Sequence, residues 1–241
     1  MIVNNTFYKI FKPLPILGMI HLASSKQRAL EELAMYEEQG VDGAIIENYH
    51  GSVQDIEEIL KQAKTNLVLG VNVLPNEFKT AFRLADQYGA KFVQLDYVAG
   101  RYHKGTLDAN AYNNIKRMFP EIVVLGGVWP KYYIPHPESN ISVDLKQGSL
   151  RAEAIVVTGQ GTGEETPLEK IVEFRTVLRD HPLIIGAGLT TDNAYEQLQI
   201  ADGAIVGSFF KHHKKTSNIV DPTKVKALMD IVKQVREEKL S

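Results

Sequence analysis

Four side chains able to carry a proton or a charge, His21, Glu47, Asp96 and Lys131, stand at or just beyond the ends of short apolar runs. The runs are PILGMIHL (15–22), DGAIIENY (42–49), KFVQLDYV (91–98) and IVVLGGVW (122–129). A polar group inside such a run is costly unless it is paired or used. Glu47 and Asp96 are the candidate acid/base pair, because carboxylates sharing one site shift each other's pKa until one serves as acid and the other as base. The bland alternative is that they satisfy neighbouring His, Lys or backbone groups. His21 stays open between proton carrier, metal ligand and satisfied core histidine. Lys131 suits neutralisation of an anionic substrate. A Schiff-base role would need a buried amine of lowered pKa, whereas 130–137 has the composition of an exposed loop. Asn48, Asn72, Gln94 and Thr158 share the strand-end placement and are candidate substrate contacts, with Thr158 opening the loop TGQGTGEETP (158–167). Gly159, Thr162 and Gly163 of that loop join them.

A second chemistry is written in LIIGAGLTTDNAYEQLQIADGAIVGSFFK (183–211). Two apolar runs end in small residues, Gly186, Ala187 and Gly188 in one and Gly207 and Ser208 in the other, about one helix apart. Glycine lets backbone N–H groups approach an anion with no Cβ in the way, so the pair predicts a phosphate site. FFKHH supplies the start of a short helix, and Lys211 is near enough in sequence to assist. The alternative is that the small residues relieve crowding where strands turn into loops. HHKK (212–215) resembles a metal cluster or basic patch, but adjacent residues of a helix point apart, so a solvated end is expected.

The elements that must position these groups follow a repeated rhythm. Eight apolar runs, the four above with LVLGVNVL, AEAIVVTG, PLIIGAGL and DGAIVGSF, have the Val- and Ile-rich continuity of parallel strands covered on both faces. Amphipathic segments separate them. KQRALEELAMYEEQG closes at Gly40, VQDIEEILKQAKTN follows, and NEFKTAFRLADQYGA has Asn76 as its expected cap. The connection 130–151 carries three prolines and predicts a long loop before any helix. Eight strand–helix units in 241 residues predict a single-domain (β/α)8 TIM barrel over 1–241, with 1–13 as an extension before the first strand. An open doubly wound sheet is disfavoured, since no G-x-G-x-x-G follows the first strand. In a barrel the strand ends named above form the active-site face, and the loops after strands 7 and 8 often hold a phosphate.

Composition narrows the partners. A net charge of −2 gives no reason to expect a nucleic-acid or membrane-surface partner. No apolar run is long enough for a membrane span, and MIVNNTFYKIFKPLP lacks a signal-peptide core, so a cytoplasmic protein is expected. The absence of cysteine removes disulfides, thiolate metal sites and cysteine nucleophiles. Barrels of this size often associate, which makes a homo-oligomer the expected state.

Taken in order, GVDGAIIEN (40–48), VLGVNVLPN (68–76), AIVVTGQGTGEETPLEK (154–170), IIGAGLTTDNA (184–194) and ADGAIVGSFFK (201–211) resemble the BtpA family (BtpA/SgcQ) over nearly the whole chain. The resemblance implies a TIM barrel of the phosphate-binding kind, with roles from photosystem I biogenesis to sugar metabolism and no firmly attached reaction. Glu47, Asn48, Asn72, Lys131, Thr158, Gly159, Thr162 and Gly163 match its pattern. Asp96 stands where the family usually has Asn, Gly127 and Tyr132 where it has Asp and His, and YHKG at 102–105 replaces TDQG. These departures imply a substrate of this chain's own.

The expected function is therefore acid/base chemistry, an isomerisation or an aldol-type lyase reaction, on a small phosphorylated sugar or ribosyl compound. No cofactor is expected for that route. A non-catalytic assembly or regulatory factor on the same barrel is the second reading. A hydrolase or lyase using a divalent metal held by carboxylates and His21 is the third.

Overall fold

A computed structural model describes residues 6–22 and 25–240. Residues 1–5 of the expected N-terminal extension lie outside the described residues. Eight parallel strands close into a barrel: β1 (Ile16–His21), β2 (Gly43–Glu47), β3 (Val68–Asn72), β4 (Phe92–Leu95), β5 (Val123–Gly127), β6 (Ala154–Val157), β7 (Leu183–Ile185) and β8 (Gly203–Val206). Strands neighbour one another in chain order, and β1 pairs with β8 to complete the ring. Helices α1 (Lys26–Glu38), α2 (Val53–Gln62), α3 (Phe78–Tyr88), α4 (Ala109–Met118), α5 (Ile141–Ser149), α6 (Leu168–Leu178), α7 (Ala194–Ile200) and α8 (Pro222–Leu240) follow the strands in turn. The molecule is a single-domain (β/α)8 TIM barrel. None of its helices is long and apolar enough to cross a membrane, among the described residues.

Local sequence explains four of these eight helix starts. Ser25, Ser52, Asp108 and Asn140 each accept a backbone N–H three residues ahead, and Ser52 with Asp55 completes a capping box. Asn76 does not cap α3, contrary to the sequence expectation. Glu77 occupies that position, and the Asn76 side chain instead accepts from the Tyr97 N–H and donates to the Tyr97 carbonyl. Helix α2 ends at Gln62, so 63–66 do not extend it. A short antiparallel hairpin, Arg101–Tyr102 with Gly105–Thr106, follows β4, and the periodicity gave no hint of it. The connection after β5 is a long loop before α5, as its prolines predict.

Inside the barrel, Leu17, Met19, Ile45, Phe92, Val123, Leu125, Ala154, Val156, Ile184 and Ile205 form one apolar cluster, and Phe7 and Phe11 join it from the N-terminal segment. These interior residues recur every second position, as side chains on one face of a strand must. Counting on by twos from them reaches His21, Glu47, Gln94, Asp96, Gly127, Thr158, Gly186 and Gly207. The same alternation that fills the core therefore delivers the polar set to the C-terminal mouth. A second, larger cluster lies between strands and helices.

Candidate active site at the barrel mouth

A cavity of about 320 Å³ opens at the C-terminal end of the strands, close to the lower end of the range for small-molecule sites. His21, Glu47, Gln94, Asp96, Lys131, Thr158, Thr162, Gly163, Gly186, Ala187, Gly188, Gly207 and Ser208 all line it. Three sequence candidates do not. Asn48 is turned outward to accept the Leu74 N–H (2.8 Å). Asn72 is buried beneath the cavity and donates to Glu47 Oε1 (2.7 Å). Gly159 is packed against the carbonyl of Glu165, 2.5 Å from where a Cβ would stand. Asn48 and Gly159 therefore shape the loops, and Asn72 positions Glu47.

Glu47 is buried, and burial raises its pKa to about 7, aided by the nearby Asp96 charge and opposed by Lys131 and the Asn72 hydrogen bond. A pKa in that range suits a group that both takes and returns a proton near neutral pH. Burial also raises Asp96, whose Oδ2 accepts from the Tyr133 hydroxyl at 2.8 Å. His21 lies with Nε2 3.8 Å from Glu47 Oε2. Burial, with the lysines Lys211 and Lys131, pushes His21 well below its usual range, so the ring is neutral and the contact is not an ion pair. Among the described residues its Nδ1 and the Gln94 Oε1 are buried without a hydrogen-bond partner. Among the described residues no three His, Asp or Glu side chains gather as a metal-holding group.

The wall opposite is backbone. Gly163, Gly188, Gly207 and Ser208, with Thr190 and Lys214, line a small recess continuous with these loops. The N–H of Gly186 is spent on the Val157 carbonyl (2.7 Å), whereas Gly188, Gly207 and Ser208 make no such donation among the described residues. Gly188 has φ +73 and lies 2.1 Å, measured from an added Cβ, from the Glu164 carbonyl, so only glycine fits the turn. A 3-10 turn, Ser208–Phe210, follows β8. Lys211 does not serve this recess. It is buried and paired with Glu32 (2.6 Å), joining the β8 loop to α1. The cation at the recess is Lys214, from the basic run expected to be solvent-facing.

Loops hold further groups that strand periodicity could not locate. Tyr49, Lys104, Tyr132 and Tyr133 line the cavity. Thr158 Oγ1 accepts the Lys131 N–H (2.7 Å), which fixes the β5 loop against β6. Behind it, Lys170 of α6 donates to the carbonyls of Trp129 (3.1 Å) and Thr158 (2.8 Å). The Tyr132 hydroxyl bonds the Thr162 hydroxyl and N–H, closing the two loops over the cavity edge.

The closed parallel barrel with its polar set at the strand C-termini defines a TIM barrel. The BtpA family model matches residues 12–234, and the chain belongs to that family. The photosystem I biogenesis protein BtpA of Synechocystis sp. is 26% identical over 260 aligned positions, covering 94% of this chain and 91% of that protein. Among solved structures, the native KDPGal structure superposes with a TM-score of 0.67 at 14% identity, over 94% of this chain and 98% of that one. N-(5'-phosphoribosyl)anthranilate isomerase of Pyrococcus furiosus gives 0.63 at 16% identity, over 92% and 99%. At these identities the structural likeness speaks for the fold.

Proposed function

We propose that the mouth binds a small phosphorylated metabolite, a sugar or ribosyl phosphate, and moves a proton next to its carbonyl. One observation carries the reading: a recess of undonated backbone N–H groups and a buried carboxylate with a pKa of about 7 face the same 320 Å³ cavity. The recess anchors the phosphoryl group by backbone donors and Lys214. Anchoring fixes the carbon chain across the cavity, and such positioning lowers the barrier of the chemical step. Glu47 takes the proton from the carbon beside the carbonyl. Lys131 offsets the negative charge that develops on the carbonyl oxygen. Asp96, held by Tyr133, returns a proton on the far side. The phosphoribosyl isomerase and KDPGal structures among the fold's neighbours support the phosphorylated-substrate class by analogy only.

The name of the cyanobacterial relative supports a second reading, a biogenesis factor that keeps the ligand site without turnover. Two measurements separate them. Thermal shift with ribulose 5-phosphate should raise the melting temperature where ribulose does not; ligand at 100 times its dissociation constant adds about 2.7 kcal/mol. Deuterium exchange at the ligand's carbon-bound protons in D2O, followed by NMR, should be catalysed and should vanish in Glu47→Gln. Binding without exchange would favour the factor, and no binding of phosphorylated sugars would remove both.

A further inference from the structure

The hairpin after β4 is built rigidly into the mouth. The Tyr102 hydroxyl donates to the Ala99 carbonyl (2.7 Å) and accepts the Trp129 N–H (2.9 Å). His103 N–H donates to the Ile134 carbonyl (3.1 Å) and His136 N–H to the Arg101 carbonyl (2.8 Å), so the hairpin and the β5 loop brace each other. Its tip carries Lys104 onto the cavity wall, with Nζ 5.5 Å from the centre of the Tyr133 ring. Tyr133 in turn packs on Tyr97 and Tyr102, with ring centres 5.1 and 5.7 Å away. The result is a firm aromatic face with a lysine laid over it.

On this face two lysines, Lys104 and Lys131, act at a distance on one buried carboxylate, Asp96. Neither Lys104 nor Lys131 has a carboxylate within 4 Å among the described residues. The nearby acids are Asp96, which also receives the Tyr133 hydroxyl, and Glu47, whose pKa burial raises. Strand β4 lies four strands from β8 in either direction round the ring, so this face stands across the cavity from the phosphate recess. A ligand with one phosphate in the recess leaves Lys104 with no anion in contact among the described residues.

We infer that the substrate carries a second anionic group, a carboxylate or a second phosphate, seated on Lys104 against the tyrosine face. This rests on the phosphate reading above. It deepens that reading by naming a dianionic, two-ended substrate class and Lys104 as the residue that selects it. A cation over an aromatic face holds its position without surrendering its charge, which leaves the ammonium donors free for an incoming anion.

The test is calorimetric titration of the full chain with three probes: ribulose 5-phosphate, 5-phosphoribonate and ribulose 1,5-bisphosphate. At least one two-ended probe should bind roughly tenfold more tightly than the monophosphate, the effect of one added charge-assisted contact at a solvated edge. The tighter of the two identifies carboxylate or phosphate. Lys104→Met should erase the gain, so that within the variant the two-ended probes bind no more tightly than ribulose 5-phosphate, with the melting temperature unchanged. Monophosphate binding with no gain from a second anion overturns the inference, as does a gain that survives Lys104→Met. Failure of all three probes to bind overturns the phosphate reading itself and takes this inference with it.

Discussion

At the N-terminal end of the barrel, Asp42, Glu153 and Asp202 each sit one residue before an even-numbered strand and perform one repeated task. Each accepts a backbone N–H from the start of the neighbouring odd strand, Ile16, Val124 and Leu183 respectively, at 2.7–2.8 Å. Each also receives a cation from a helix: Arg236 (2.5 Å) of α8, next to β1 where the ring closes, and Lys116 (2.9 Å) and Arg175 (2.5 Å) of the helices leading into β5 and β7. At the C-terminal end, Glu47 and Asp96 are also buried, yet among the described residues Glu47 contacts Asn72 and a neutral imidazole, and the two lysines facing the cavity have no carboxylate within 4 Å. Both ends are rich in charge. One end consumes it in the fold and the other leaves it facing the cavity, the division expected of a barrel whose lower face gives stability and whose upper face gives function.

Substitutions at the two ends should accordingly fail in different assays. The largest effect is expected from Glu47→Gln. Proton exchange on a bound phosphosugar should fall by about 10²–10⁴-fold, the usual range for a lost general base, with ligand affinity retained. Full exchange in this variant would remove Glu47 from the chemistry.

The same variant should behave unusually in stability. Glu47 has a folded-state pKa of about 7, above the ordinary 4.5. The folded protein thus holds an extra proton between those values, and stability falls as pH rises through that window. Glu47→Gln removes the penalty, which amounts to roughly 3 kcal/mol above pH 7 and nothing below pH 4.5. Melting curves of the two proteins from pH 4.5 to 8 should diverge, with the variant more stable at the alkaline end. A constant gap with the variant less stable would mean that Glu47 is a charged brace like those at the other end.

Asp42→Ala should give the converse result. The side chain is 4% exposed and its partner Arg236 20%. Losing it strands the Ile16 N–H and one guanidinium contact, at a cost of about 2–3 kcal/mol, or a melting temperature lower by roughly 5–10 °C. Phosphosugar affinity in the folded protein should be unchanged. A loss of affinity without a loss of stability would break the division between the two ends.

The smallest effect is expected from Lys214→Met at the phosphate recess. Lys214 is exposed, so the affinity for ribulose 5-phosphate should fall by about three- to tenfold at low salt and the difference should shrink as salt rises. Lys211→Met, by contrast, should lower stability through its buried pair with Glu32 and act on affinity only indirectly.

Much of this division was legible in the sequence. The eight apolar runs fixed the barrel, and the alternation within them carried His21, Glu47, Asp96 and the glycines of β7 and β8 to one mouth. The N-terminal braces come from the structure: the acidic residue that opens DGAII, EAIVV and DGAIV carries no role in the sequence pattern until its backbone and cation partners are seen. What escaped depends on loops. Asn48 and Asn72 lie at strand ends like Glu47, and only the packing shows that one turns outward and the other beneath. Lys211 and Lys214 are three residues apart in a basic run, and the 3-10 turns after β8 decide which reaches the recess. Lys104 and Tyr133 meet because a hairpin and a proline-containing loop brace each other, a contact with no periodic signal. The substitutions at 102–105 and 132 relative to the family pattern were the only hint that those loops differ.

The central claim is that the recess at the ends of β7 and β8 receives the phosphoryl group of a ligand whose other end reaches Glu47. A crystal structure of the protein with ribulose 5-phosphate tests it most directly. The expected result places phosphoryl oxygens within about 3 Å of the N–H groups of Gly188, Gly207 and Ser208, with the carbonyl end of the sugar against Glu47 and Lys131. Ordered loops with an empty recess at saturating ligand, or a phosphoryl group bound elsewhere in the mouth, would contradict it.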